Sequence, residues 1–240
     1  MVRNEAAPDR YLHRVLENMR ARSDAILILD DHSTDDTPVM CAPYADFMFY
    51  RMGGVPAWGA EATAREELWR LATVTAAPGD WLCFWDADML LSRDPRPLMG
   101  TTALNTWCWP LYDLWDSEET YRADGHWQGH RHPRAWMVRP HDVPAGWAPT
   151  WTARGMHCGH LPSNWPLRAG VAPDDYYWRH YSFCTPDHRA VKHAQYLSQR
   201  DQLSPGERAH AESILDPVPP VPALGHPPMA DGPSAPVSGA

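Results

Sequence analysis

Along the first ninety residues, apolar positions switch between a helical period and unbroken runs. Tyr11, Leu12, Val15, Leu16 and Met19 fall at i, i+1, i+4, i+5 and i+8, one face of an α-helix. Pro8 is placed for its first turn. Ala25-Ile26-Leu27-Ile28-Leu29 is continuously apolar and reads as a strand buried on both faces. It runs into Asp30-Asp31-His32-Ser33-Thr34-Asp35-Asp36-Thr37, whose hydroxyls and carboxylates can cap a helix over 35–42. A short strand follows at 46–50. A helix is expected at 57–73, with Ala60, Ala64, Leu68, Leu71 and Ala72 on one side. The turn Pro78-Gly79-Asp80 then leads into Trp81-Leu82-Cys83-Phe84-Trp85, a further strand of the doubly buried kind. Met1 and Val2 are too short for a strand. Helix and strand alternating at this spacing predict an α/β fold with a mostly parallel, Rossmann-like sheet flanked by helices.

Past Pro95 the pattern weakens. Leu104–Pro110 and Ala135–Val138 read as strands, separated by an acidic, aromatic stretch from Asp113 to Asp124. Prolines and glycines punctuate 140–175, which predicts long ordered loops. Thr185-Pro186-Asp187 combines an N-cap, a proline at the first position and an acid near the positive end of a helix that runs to about Arg200. A second helix fits 204–215, so the chain closes in a C-terminal helical segment. Residues 217–240 hold eight prolines and almost no charge, the composition of a disordered or polyproline-like tail. The expected organisation is one domain over 1–216 and a tail over 217–240, with no internal repeat.

Composition narrows the classes. A 240-residue chain that is 44% hydrophobic, with 13 tryptophans, can bury a sizeable core. A formal charge of −9 argues against a nucleic-acid or anionic-membrane surface. The five cysteines are odd in number and form no C-x-x-C, which predicts free thiols in a reducing compartment. The chain opens into a charged helix, so no signal peptide is expected. No stretch approaches the ~18 apolar residues of a membrane span. Together these predict a cytoplasmic protein.

The chemistry concentrates at Asp86-Ala87-Asp88, where the Trp81–Trp85 strand leaves the sheet. Residues two apart on an extended chain point the same way, so the two carboxylates would converge at a sheet edge, where open α/β folds bind ligands. Paired hard oxygens suit Mn²⁺ or Mg²⁺ carrying a phosphate. Two further motifs precede it, Arg3-Asn4-Glu5 and the Asp30–Thr37 stretch. With these three elements in order the chain resembles glycosyltransferase family 2, inverting enzymes of the GT-A fold, whose pattern is N-E, D-D-x-S-x-D-x-T and D-x-D. A fourth segment, Arg179-His180-Tyr181-Ser182-Phe183-Cys184-Thr185-Pro186-Asp187-His188-Arg189, is similar to the H-Y-G-Y-x-T-P-E-D-R of a bacterial and phage subgroup; Lys192, Tyr196 and Asp201 fit its continuation. The resemblance covers roughly residues 2–201 and departs from the family in having only Met1-Val2 where a full first strand precedes N-E.

The resemblance implies roles. Asp30 or Asp31 would contact the nucleoside of a nucleotide-diphosphate sugar, with Glu5 lining the same pocket. Asp88 would ligate the cation, Asp86 would lie near the ribose or the metal, and His180 would be the C-terminal metal or diphosphate ligand. Arg65 matches a basic residue that the family often places near the nucleotide; its plain alternative is a helix-surface arginine. The function implied is transfer of a sugar to an acceptor hydroxyl with inversion. The acceptor is left open among a glycan, a lipid-linked sugar, a protein and a modified DNA base. A carboxylate between the D-x-D and His180 would take the acceptor proton. Asp124 is the first candidate, followed by Asp116 and Asp113, and solvated loop acids are the alternative for at least two of them.

Other readings stand beside this one. A D-x-D of this kind also serves nucleotidyl transfer or nucleotide-sugar pyrophosphate hydrolysis. The tryptophans crowding the second half could mark a non-catalytic carbohydrate-binding module, although Trp is mostly buried. His157-Cys158-Gly159-His160 invites a zinc reading, but too few ligands close a tetrahedron, and a loop histidine near the active site fits better. His126, His130 and His132 read as a solvated loop.

Overall fold

The computed structural model describes residues 1–52, 61–125, 127, 132–152 and 159–216. The expected tail at 217–240, His126, His130, His157 and Cys158 lie outside them. The described chain is a mixed α/β domain with five α-helices among its described residues. None of these helices is long and apolar enough to cross a membrane. Four described cysteines, Cys41, Cys83, Cys108 and Cys184, are free thiols.

The first helix, α1 (Leu12–Arg22), buries Leu12, Val15 and Leu16, the face its periodicity marks. Its N-cap is Tyr11, so Pro8 lies ahead of the helix rather than in its first turn. Strand β1 (Leu27–Asp30) pairs in parallel with β2 (Phe47–Tyr50), joined through α2 (Thr37–Cys41). Val2 makes a single parallel bridge to Asp30 on the other edge of β1, with N–H to the Leu29 carbonyl at 2.9 Å and the Asp31 N–H to its own carbonyl at 2.8 Å. The next helix, α3 (Glu61–Thr75), buries Ala64, Arg65 and Trp69.

From there the parallel expectation fails. The ladder at the Trp81–Trp85 run is only β3 (Leu82–Cys83), and it pairs antiparallel with β7 (Arg134–Val138). β7 pairs antiparallel with β5 (Thr106–Trp109), which pairs in parallel with β8 (Ala169–Val171), giving a sheet ordered β3-β7-β5-β8. A third sheet is ordered β4-β9-β6, from Met89–Leu91, Trp178–His180 and Leu111–Asp113; β4/β9 is antiparallel and β6/β9 parallel. Of the six strand pairings among the described residues three are parallel and three antiparallel, so "mostly parallel" is corrected to mixed. The reason is local. Among the described residues a helix, α2, lies between β1 and β2, whereas no α-helix lies between β3 and β9, so no helical crossover imposes parallel pairing there.

The main core packs Val15 of α1 against Trp85, Met89, Leu91, Trp109, Trp136 and Trp178. Asn18 reaches from α1 into this core and meets both the N–H and the C=O of Leu91, satisfying the edge of β4. A second cluster joins Trp115, Trp127 and Phe183 to the two C-terminal helices, α4 (Pro186–Ser198) and α5 (Pro205–Glu212). Both begin as their sequences require. Thr185 accepts from the His188 N–H, and Ser204 with Glu207 forms a reciprocal capping box.

Gly170 on β8 shows how closely the loops approach. A Cβ there would lie 2.5 Å from Leu104 Cδ1 and 2.8 Å from Trp107 Cζ3. Gly170→Ala is expected to destabilise the protein by about 1–3 kcal/mol through overpacking, measured as a lower urea midpoint at unchanged m-value.

Candidate functional site

Two N-terminal motifs are clasped together by their own polar atoms. Backbone N–H groups of Asn4, Glu5 and Ala6 donate to Ser33 Oγ, Thr37 Oγ1 and Asp35 Oδ2 at 3.1, 2.7 and 3.1 Å. In return the Thr34 N–H donates to Asn4 Oδ1 at 2.8 Å. Asn4 and His32 take φ values of 53° and 60°, and asparagine is among the few residues that tolerate this region. The hydroxyls and acids of 33–37 therefore serve the N-terminal loop. The expected cap of α2 comes from Asp35, whose Oδ1 accepts the Thr37 N–H at 3.0 Å, while Asp36 at the N-cap position makes no side-chain bond.

The two acids that end β1 diverge. Asp31 is buried on Arg51, whose Nη1 lies 2.5 Å from Asp31 Oδ1 and whose Nε lies 3.1 Å from Glu67. Asp30 is 4% exposed, accepts the Ser33 N–H on Oδ2 and has a second oxygen, Oδ1, buried without a hydrogen-bond partner. An unspent buried carboxylate oxygen is costly unless something donates to it. Of the pair, it is Asp31 that an arginine engages, while Asp30 keeps this unpartnered oxygen. Glu5 lies within electrostatic reach of Asp88 and Lys192; burial, then Asp88, pushes its carboxyl up to about 7.

Asp86 and Asp88 do not point the same way. The chain leaves extended geometry after Phe84 and turns, with the Met89 N–H to the Asp86 carbonyl at 3.2 Å, so the rule for residues two apart on a strand does not apply. Asp86 faces Arg65 Nη2 at 3.1 Å and His160 Nε2 at 3.7 Å. Burial pushes its carboxyl up, and Arg65 with His160 more than offsets this and holds it well below the usual range. Burial likewise drives the His160 imidazole down to about 4, against the pull of Asp86, so it is neutral near pH 7. Arg65 is no surface arginine: it is buried between Asp86 and Glu61.

Asp88 faces the other way, toward β9. Register in the third sheet explains the result. His180 pairs with Met89, next to Asp88, on one side and with Asp113 on the other. Its Nδ1 is 2.6 Å from Asp113 Oδ1 and its Nε2 is 3.5 Å from Asp88 Oδ2. The Ser182 hydroxyl also donates to Asp88, and the Tyr181 N–H donates to the Asp88 carbonyl at 2.9 Å. Burial opposes a charge on His180, but Asp88 and Asp113 outweigh it and raise the imidazole to about 10. The free protein therefore holds an imidazolium between two carboxylates.

A stability consequence follows from that shift. The group is raised above its ordinary value of 6.5, so its contribution is complete below about pH 6.5 and is lost as pH rises toward 10. With chelator present, the urea midpoint is expected to fall from pH 7 to pH 10. His180→Gln should flatten that fall; an unchanged slope would remove the assignment.

The three candidate bases each meet a cation. Asp124 sits in a two-point pair with Arg122, at 2.7 and 3.2 Å, which holds its carboxyl below the usual range. Asp116, at φ 62° and 60% side-chain exposure, bonds Arg189 at 2.8 Å. Asp113 is 1% exposed beneath His180 and acts on the imidazole.

Among the described residues, no three His, Cys, Asp or Glu side chains converge to enclose a metal by themselves. Asp88 and His180 still offer one carboxylate oxygen and one imidazole nitrogen side by side, a donor set that suits Mn²⁺ or Mg²⁺ completed by phosphate oxygens and water. Asp86, one-third exposed, contributes to such a site only after release from Arg65. Arg51 and Ser182 carry no sequence signal of their own beyond adjacency, to β2 and to His180. No protein-family model and no curated protein matches this chain.

Proposed function

We propose that the protein is a metal-dependent glycosyltransferase of GT-A type that moves a sugar from a nucleotide-diphosphate sugar to an acceptor hydroxyl with inversion. The observation that carries the reading is the meeting of Asp88 with His180, remote in sequence, within electrostatic reach of Glu5, whose backbone is clasped to the Asp30–Thr37 stretch. The four motifs that suggested the family thus supply neighbouring groups. The α-amine of Met1 lies within electrostatic reach of Arg65, Asp86 and Asp31.

Each residue has work to do in this reading. Asp30 accepts from the base or ribose, and Glu5 lines the same wall. Arg65 fixes Asp86 and keeps that carboxylate ionised. Asp88 and His180 hold Mn²⁺ or Mg²⁺, with Asp86 as a further oxygen donor. Bound there, the cation would neutralise charge on the departing diphosphate. Asp113 and Ser182 orient its two ligands. The sugar centre passes through an oxocarbenium-like state while a carboxylate on the opposite face takes the acceptor proton. Asp124 and Asp116 are the candidates for that base, and freeing either from its arginine is part of becoming one.

Product analysis tests the proposal. Nucleotide sugars are incubated with protein and Mn²⁺, and free nucleoside diphosphate is the expected product. Nucleoside monophosphate with sugar phosphate would instead indicate pyrophosphate hydrolysis or nucleotidyl chemistry. Binding of glycans with no need for Mn²⁺ would indicate a carbohydrate-binding module.

A further inference from the structure

Of the 21 lysines and arginines in the sequence, Lys192 is the single lysine. It lies on α4, where the helical period sets it on one face with His188 and Tyr196, a turn to either side. Both neighbours look toward the candidate site. His188 Nε2 is 3.0 Å from the carbonyl of Asp9, in the loop that follows Glu5. Tyr196 is buried, and its phenol lies within electrostatic reach of Asp113 and Asp88. Between them the half-buried Lys192 acts on both Glu5 and Asp88. Its charge pulls the Glu5 carboxyl down, against burial and Asp88, and adds to His180 in holding Asp88 ionised.

The arginines that meet the acids of this region are already committed. Arg51 pairs with Asp31 and Glu67, Arg65 with Asp86 and Glu61, Arg122 with Asp124, and Arg189 with Asp116. Lys192 makes no hydrogen bond and no ion pair among the described residues. A lysine is a compact point charge with three donors on a flexible stem, so it can follow an oxygen whose position and charge change during a reaction. A diphosphate also carries more negative charge than one divalent cation neutralises.

We propose that Lys192 is a diphosphate-binding residue, its ammonium donating to a phosphate oxygen of the donor beside the cation site at Asp88 and His180. This role rests on the reading of the site as a nucleotide-sugar pocket and supplies that pocket with a second positive group. When the bond between the sugar carbon and the diphosphate oxygen breaks, its electron pair stays on that oxygen. The ammonium offsets the charge gained there and gives up no proton. The proton of the acceptor hydroxyl goes to the carboxylate base, as before.

A single lysine makes the test direct. Pyridoxal 5′-phosphate condenses with the ε-amine with loss of water, and borohydride reduces the imine to a stable secondary amine. Peptide mass mapping separates Lys192 from the Met1 α-amine. Inorganic pyrophosphate with Mn²⁺ is expected to slow labelling of Lys192 by about 10-fold or more near saturation. Lys192→Gln should weaken binding of pyrophosphate in the presence of Mn²⁺ by about 10–100-fold, the loss expected when a hydrogen bond between charged groups is removed, and should not weaken binding of Mn²⁺ alone. Labelling that pyrophosphate and Mn²⁺ leave unprotected, or pyrophosphate binding indifferent to Lys192→Gln, would overturn the proposal. So would an equal loss of Mn²⁺ binding without pyrophosphate, because the lysine would then serve the cation ligands and not the phosphate. None of these measurements involves sugar transfer, so the product analysis above succeeds or fails separately.

Discussion

Asp88→Asn is expected to lower Mn²⁺-dependent turnover of a nucleotide sugar by about 10²–10³-fold, the size of effect seen when one preorganised electrostatic contact to developing charge is removed. The substitution keeps the shape of the side chain but removes the charge that His180 and Ser182 both address. Mn²⁺ affinity measured without substrate should fall in parallel. Turnover within a factor of two of the parent protein, or undiminished Mn²⁺ affinity, would detach the metal from Asp88 and with it the reading of Asp86-Ala87-Asp88 as a cation motif. Ser182→Ala serves as the graded companion: it removes one hydrogen bond while leaving the charge pair in place, so its effect should be much smaller.

The second large effect concerns stability. Arg51 and Asp31 form an ion pair with side chains 5% and 3% exposed. Removing one partner leaves the other charge buried, which costs about 3–5 kcal/mol. Arg51→Leu is therefore expected to lower Tm by roughly 6–20 °C for a chain of this length. The double replacement Arg51→Leu with Asp31→Leu should recover much of the loss, because two apolar groups leave no orphan charge. Equal losses in the single and double variants would show that Arg51 works mainly through Glu67, its other carboxylate partner at 3.1 Å.

Much of the N-terminal third and of the C-terminal helices could be read from residue order. The α1 stripe and the Thr185-Pro186-Asp187 start are local signals, fixed by helical period and by cap chemistry, and local signals survive folding. Sheet direction is different. Leu82–Cys83 finds its partner in Met137–Val138, and nothing in the apolar run of Trp81–Trp85 says which way that partner runs. Strands of three residues, such as Trp178–His180 and Ala169–Val171, are too short to display a period.

The site divides the same way. Residue types and motif order singled out Glu5, Asp30, Asp31, Arg65, Asp86, Asp88 and His180 as candidates. They did not reveal that a turn at Ala87 sends the two acids of the D-x-D apart, toward Arg65 and toward His180. Nor did they show that Asp113, a candidate base, instead lies beneath the imidazole, because that depends on the register of β6 against β9. Between Asp30 and Asp31 the sequence offers no choice; in the structure it is Asp31 that Arg51 engages.

The cluster around Trp127 has a practical corollary. Its indole is fully enclosed, donates to Ser213 Oγ at 3.1 Å and packs against Trp115, Phe183 and His210, while Arg122 pins the Ser213 carbonyl. Undocking of α5 would wet this indole before the β4-β9-β6 layer loosened. The part of a red shift in tryptophan emission that disappears when Trp127 is replaced by Phe should thus give an optical readout of C-terminal detachment at denaturant levels too mild to unfold the rest.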